Sequence, residues 1–398
     1  MSEYQTGRQI AVSYKKQDSL GTRAAASGAK HFRANGGGLS LTKATIDSGE
    51  NRTDGQKTRG RHGSKSMSGS YSGDMSIGTW DELLEGVFRG TFAAAITITE
   101  SEMSSATIGV ASNVVTFSAG AALTAGVRVG QVHRWSSGLA TADLNRNLRV
   151  IAATDTTITY AETLTDVAGP VSSYSLTIPK SLLMGTTRRL FTFEEHELNI
   201  DGSEIFDDCR VGSVQISLQP DGMGELNFGV VGRDMDPLED GDSPYFTATT
   251  RTTTLGLTSV EAKIRLGTED LVDLTSLTLE INLNADGIAV IGSTITPDVF
   301  DNDATVTMSA TALRKDLSRV KNFVAEDQLS VHLVFTENTD EPQAFMSFFV
   351  GNTTLSQATK SELGQDGPRT QDLQFLVGID ERGGAWPVTT VMYQTSAA

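Results

Sequence analysis

The chain has 398 residues, 38% of them apolar, with 39 glycines, 9 prolines and a formal charge of −17. That length exceeds one ordinary domain and predicts about two or three, while Ser, Thr, Gly and Asn in short alternating runs predict a mainly β fold. A lone cysteine, Cys209, excludes an internal disulfide and a thiolate metal site.

The opening MSEYQTGRQIAVSYKKQ lacks the apolar core of a signal peptide, and no apolar run approaches membrane-spanning length, so synthesis and folding in a cytosol are expected. Charge is unevenly spread. Residues 1–65 hold 12 Lys/Arg against 5 Asp/Glu, leaving 20 against 44 in the remainder. An acidic body does not gather DNA from solution, because binding phosphate needs positive charge to release counterions. The basic leading segment is either a device for joining copies of the chain or a solvated start.

In chain order, residues 1–38 show little periodicity, end in Gly36-Gly37-Gly38 and are expected to form an extended N-terminal arm. Leu39–Ile46 alternates as a strand. Residues 47–65 contain no apolar residue; a loop of this length is usually functional or disordered. Ser66–Ile77 alternates, with Met67, Tyr71, Met75 and Ile77 on one face and serines with Asp74 on the other, the pattern of a strand between core and water. Thr79 and Glu82 match a capping box ahead of a short helix whose apolar stripe is Leu83, Leu84, Val87 and Phe88.

The pattern changes near residue 100. Residues 101–180 carry short strands (113–117, 126–135, 148–152, 156–160 and 173–178) and read as a small β module inserted into a first unit that spans 39–100 and 181–233. Strands are expected at 191–198, 210–218 and 225–231, with an acidic linker over 234–245. The second unit, 246–398, repeats the order of the first: strand 277–283, loop 285–303, polar-faced strand 304–310, helix 313–323, then strands at 329–335, 346–351 and 372–379. Leu277 stands in this repeat where Leu39 stands in the first.

The phrases GRQIAVSYKKQDSLGT, SGSYSGDMSIGTWDELLEGVF and RRLFTFEEHELNIDGSEIFDDCRVGSVQISLQPDGMGELNFGVVGRDM resemble tail tube proteins (major tail proteins) of long-tailed, siphovirus-like bacteriophages. GVRVGQVHRW and NLRVIAATDTTITY resemble the small β module many members carry, and LTLEINLNADGIAVIGSTITPDVFDNDATVTMSA resembles their second half. The resemblance spans nearly the whole chain and carries no catalytic signature. It implies two β-sandwich or half-barrel units with short flanking helices plus the inserted β domain. It also implies a structural virion protein made in the host bacterial cytoplasm, whose rings stack into the tube that conducts double-stranded DNA during ejection. No cofactor and no membrane are implied; the partners would be further copies and the tail terminator, tape measure and baseplate proteins. A trimeric ring with pseudo-sixfold symmetry is preferred on the repeat, with a hexamer as the alternative.

On that reading, sheet edges close the ring by pairing with the next subunit. The polar strand faces line the channel: Ser68, Ser70, Ser72 and Asp74 in one unit, Glu280, Asn282, Thr305 and Thr307 in the other. A one-residue register slip would invert this assignment. A lumen without positive charge lets the duplex slide, since each cation would hold a phosphate. Arg52, Lys57, Arg59 and Arg61 are the candidates for contacts between stacked rings, in a loop that is either preformed or ordered by assembly.

The alternative function is a β-sandwich fibre or adhesin whose module holds a sugar on its outward strands, although aromatic residues suited to stacking on a sugar are few there (Trp135, Tyr160 and Tyr174). Other signals are weak. The five histidines lack ligand spacing, Asp234–Asp242 is interrupted by Pro237 and lacks a calcium-loop pattern, and Glu194, Glu195 and His196 alternate faces on a strand and cannot converge.

Overall fold

A computed structural model describes residues 4–338, 342–364 and 367–397. The first strands are β1 (Ile10–Gln17), β2 (Lys30–His31), β3 (Gly36–Ile46) and β4 (Arg61–Asp74), followed by helix α1 (Asp81–Phe88). The inserted module holds β5 (Ile96–Thr99), β6 (Ile108–Ala111), β7 (Val114–Phe117), β8 (Val132–Ser137), β9 (Leu148–Ala153), β10 (Thr157–Tyr160), β11 (Val167–Val171) and β12 (Ser175–Ile178). These eight strands form a sheet of their own over a separate core that includes Trp135, Tyr160 and Tyr174.

The chain then returns through β13 (Ser181–Leu183), β14 (Leu190–Glu197), β15 (Gly202–Leu218), β16 (Glu225–Gly232) and β17 (Asp234–Glu239). The remaining strands are β18 (Lys263–Leu266), β19 (Glu269–Leu271), β20 (Leu274–Asn282), β21 (Asp286–Gly287), β22 (Val299–Phe300) and β23 (Thr305–Leu313). After helix α2 (Ser318–Ala325) come β24 (Leu329–Thr336), β25 (Phe345–Lys360), β26 (Thr370–Gly378) and β27 (Met392–Thr395). The fold is mainly β, as expected.

One sheet runs β3–β4–β16–β15–β20–β23–β26–β25, every neighbour antiparallel. Strands from both halves of the chain meet in it, at the β15–β20 pairing. The two longest strands leave this sheet at their N-terminal ends. There β15 pairs with β14 and β17, and β25 pairs with β24 and β27. β1 extends the first of these groups beyond β14, and β18 extends the second beyond β24. The same connection order therefore occurs twice. Bulges bend both long strands between the layers.

Alternation explains the core. Inward residues of the eight-stranded sheet, such as Phe228, Val214, Ile281 and Met308, join Phe193, Phe206, Leu333 and Phe348 of the other strands in one buried cluster. Fully burying each such side chain contributes about 1.5–3 kcal/mol. Tyr14 stacks on Phe193 with ring centres 5.8 Å apart, and Phe32 packs on Trp80 at 4.8 Å.

Several expectations are corrected. Residues 1–38 are not an arm over their described length: β1 pairs along all of β14, and Val12 and Tyr14 are buried. Polar flanks concealed this eight-residue strand. The expected acidic linker is largely β17, held on β15, with Asp234 on Lys65 (2.6 Å) and Asp236 on Arg23 (3.0 Å). Its carboxylates are tolerated because bases from the leading segment meet them. The capping box is not formed: Trp80 takes the N-cap position without a side-chain cap, and Thr79 Oγ1 bonds Ser76 and Thr252 instead. The second helix starts at Ser318, since Leu313 still pairs with Thr370 in the sheet. The cross-strand registers place Leu279, rather than Leu277, in the position of Leu39, because Gly38–Ser70–Gly229 corresponds to Thr278–Ser309–Gln374.

Candidate functional site

The candidate site is the outward face of the eight-strand run from β3 to β25, outside the module. One cross-strand row reads Ser72–Asn227–Gln215–Glu280–Thr307, the next Asp74–Glu225–Ser217–Thr278–Ser309–Gln374, and a third Ser70–Gly229–Ser213–Asn282–Thr305. Ser68 lies beside them, opposite Ser40 and Val231. The residues named from sequence on β4, β20 and β23 thus come together on one face. The alternate residues of the same strands (Tyr71, Leu279, Ile281, Val306 and Met308) are buried, so the register is the expected one.

These three rows contain hydroxyls, amides, one glycine and three carboxylates, and no Lys or Arg, while the β26 partner of Thr307 is the exposed, apolar Leu376. Asp372 adds a further carboxylate one position on, accepting from Thr311 Oγ1 at 2.9 Å. Asn35 Nδ2 donates to Asp74 Oδ1 at 2.6 Å, and Asn282 Nδ2 to Glu280 Oε1 at 3.5 Å. Only some of these polar groups are held by such bonds, Asn227 Oδ1 being buried without a partner among the described residues, and the face is weakly acidic. Sequence reasoning overlooked Gln215, Ser217, Glu225, Asn227, Asp372 and Gln374. Their signal was present in the alternation of 210–218, 225–231 and 372–379, once those strands are known to be neighbours.

The candidate stacking residues divide. Arg52, Lys57 and Arg59 are exposed in the loop between β3 and β4, and Arg52 makes two bonds to Asp54, at 3.0 and 2.7 Å. Arg61 is not in the loop; it begins β4 opposite Ile46. The matching loop of the second half, 283–304, folds back on the first. Asp298 meets Arg210 at 3.0 Å and Arg188 at 3.5 Å, and Arg233 Nε donates to Thr296 O at 2.6 Å. Its tip exposes Ile288, Val290 and Ile291, which sequence reasoning did not single out.

The module offers no aromatic stacking surface from the three rings named above. Trp135, Tyr160 and Tyr174 are core residues, with Trp135 Nε1 donating to Tyr160 OH at 2.9 Å. His133 lies against the same hydroxyl, and burial lowers its pKa to about 3. Glu194 and Glu195 point apart, as alternation requires. Glu194 accepts from Ser203 and from the N–H groups of Tyr245 and Phe246, whereas Glu195 accepts from Tyr71 and from Leu39 N. Both carry structural bonds.

Among the described residues no group of three or more His, Cys, Asp and Glu is gathered for a metal, and no helix is long and apolar enough to cross a membrane. No curated protein matches the chain. A family model for the phage tail tube protein matches residues 7–377, and the chain, a mainly β structural protein with one long polar sheet face, belongs to that family.

Proposed function

We propose that copies of this chain close into rings that stack into the tail tube of a long-tailed, siphovirus-like phage, with the polar face of the eight-stranded sheet lining the channel for double-stranded DNA. The observation that carries this reading is the absence of Lys and Arg from three consecutive rows of that face, in a chain with 32 such residues. A duplex gains no counterion release from such a wall and is not retained by it.

Geometry favours three copies. Each contributes the eight neighbouring strands from β3 to β25 to the wall. With strands about 4.8 Å apart and tilted about 40°, three copies close a ring about 48 Å across, leaving about 40 Å between side chains. Two copies leave about 24 Å, with little room for a duplex and its hydration, and six leave about twice the trimer's width. The doubled connection order then gives a trimer pseudo-sixfold symmetry, ahead of the hexamer. Arg52, Lys57 and Arg59 join adjacent rings, each exposed pair contributing about 0–1 kcal/mol and gaining by repetition. The tube meets the tail terminator, tape measure and baseplate proteins at its ends and interior, after synthesis in the host cytoplasm.

Electron microscopy of the concentrated, purified chain tests this. Hollow filaments with a lumen wide enough for a duplex are expected; discrete compact particles under all assembly conditions would overturn the reading.

A further inference from the structure

The pairing that joins the two halves inside one chain has an unfilled counterpart at the outer edge. At the internal joint, β15 and β20 pair from Ser213↔Asn282 to Leu218↔Leu277. The matching strands are β25 and β3. β15 has an extra residue at Gly212 and a two-for-one slip at Asp207–Asp208; β25 has the same at Ser356 and at Gly351–Asn352. Gly212 therefore corresponds to Ser356, and Gln215 to Thr359. By the row equivalence given above, Glu280 corresponds to Ser40. Yet among the described residues the C-terminal half of β25 pairs only with β26, and β3 pairs only with β4.

A second, independent observation lies beside the β25 edge. Helices α1 and α2 follow corresponding strands and end alike, in left-handed residues Arg89 and Glu326. At the internal joint α1 is covered, with Tyr393 of β27 donating to Asp81 and packing on Phe88. At the outer edge α2 is bare. Val87 is 0% exposed, whereas its counterpart Val324 is 75% exposed, with Leu317 and Phe323 also open. Both features find a partner where the second half follows the first, and neither does at the far side.

We propose that the outer edge of β25 pairs antiparallel with β3 of a second copy in the register of the internal joint: Gln357↔Thr42, Ala358↔Leu41, Thr359↔Ser40 and Lys360↔Leu39. The β17 strand of that copy then covers α2, as β27 covers α1. This rests on the ring reading above and supplies its joint. The register preserves the faces: Thr359 and Ser40 are exposed on the polar side, while Ala358 and Leu41 pack against the core. It also brings Lys360, the sole basic residue of β25, to Leu39, whose N–H is held by the Glu195 carboxylate at 2.8 Å. The apolar Ile216–Leu279 pair of the internal joint is replaced by a cation meeting an anion.

Paired cysteines test the register. Thr359→Cys with Ser40→Cys places Cβ atoms about 5 Å apart across the joint, whereas Thr359→Cys with Gly36→Cys separates them by about 13 Å. Oxidised tubes of the first variant should run as covalent multimers on a non-reducing gel and those of the second as single chains. Val324→Asp should leave the free chain's melting temperature unchanged and abolish multimers in mass photometry. Hollow tubes that crosslink in neither variant, or equally in both, overturn the joint and leave the tube reading standing. A Val324→Asp chain that assembles normally overturns the covering of α2. A wild-type chain that stays monomeric with no tube overturns both.

Discussion

The amide of Gln394, in the last strand, occupies the place of a missing backbone neighbour for Val132 of the inserted module. Val132 N donates to Gln394 Oε1 at 2.6 Å, and Gln394 Nε2 returns a bond to Val132 O at 3.2 Å, with a further bond to Pro179 O at 3.2 Å. All of this is buried, beside Arg149, which bridges Glu162 of the module and Asp270 of β19 at 2.7 Å each. The module is thus fastened to the second half of the chain although it is inserted in the first.

Replacing Gln394 by Leu keeps the volume and orphans Val132's N–H and carbonyl. Leaving a buried polar group unsatisfied costs about 1–3 kcal/mol. The variant should lose about 2–4 kcal/mol in urea denaturation, and an unchanged midpoint would show that the amide contributes nothing to docking.

Acid should weaken the fold through its buried imidazoles. Burial, with Arg149 and Arg265 nearby, lowers the pKa of His332 to about 3, while its Nε2 lies 2.9 Å from Ser347 Oγ. Above pH about 6.5 neither state carries the proton; below it the unfolded chain takes one and the folded chain does not until about pH 3. Stability therefore falls as pH drops through that window, by about 1.4 kcal/mol per pH unit for each such histidine. His332→Gln retains a partner for Ser347 and removes one titrating group. Its deficit against the wild type should shrink as urea midpoints are followed from pH 6 to pH 5; a constant deficit would contradict the assignment.

Removing the loop residues 48–59 should leave folding intact, because Arg52, Lys57 and Arg59 are exposed and, among the described residues, none of them bonds the body of the chain. Melting should be within about 0.5 kcal/mol of wild type, while sedimentation shows rings or free chains in place of tubes. Long tubes from the shortened chain would transfer the stacking role elsewhere, with the exposed tip at Ile288, Val290 and Ile291 the next candidate.

Charge reversal on the polar face tests the lumen. Glu280→Lys and Asp74→Lys are at partly exposed positions and should fold. Assembled tubes of the double variant should bind duplex DNA at low salt and release it as salt rises, since each added cation contributes about one released counterion per phosphate contacted. Wild-type tubes should bind none. Equal retention by both would place this face away from the channel.

Much of this was readable from residue order. A period of two decides which side chains of a strand share a face, and that is a local property. Hence Ser68, Ser70, Ser72 and Asp74 separate from Met67 and Tyr71 in the structure as in the sequence. The mainly β class followed from similar local patterns. Strand neighbours are decided by non-local packing, and no periodicity reports it. β1 was overlooked because its pairing with β14 joins residues far apart in the chain, and only that contact buries Val12 and Tyr14. Likewise α1 and α2 carry similar apolar stripes, yet one is sealed and the other bare, because burial depends on what lies alongside. Sequence determined the faces of this protein; tertiary structure decided that they merge into one surface, and which of its edges are left open.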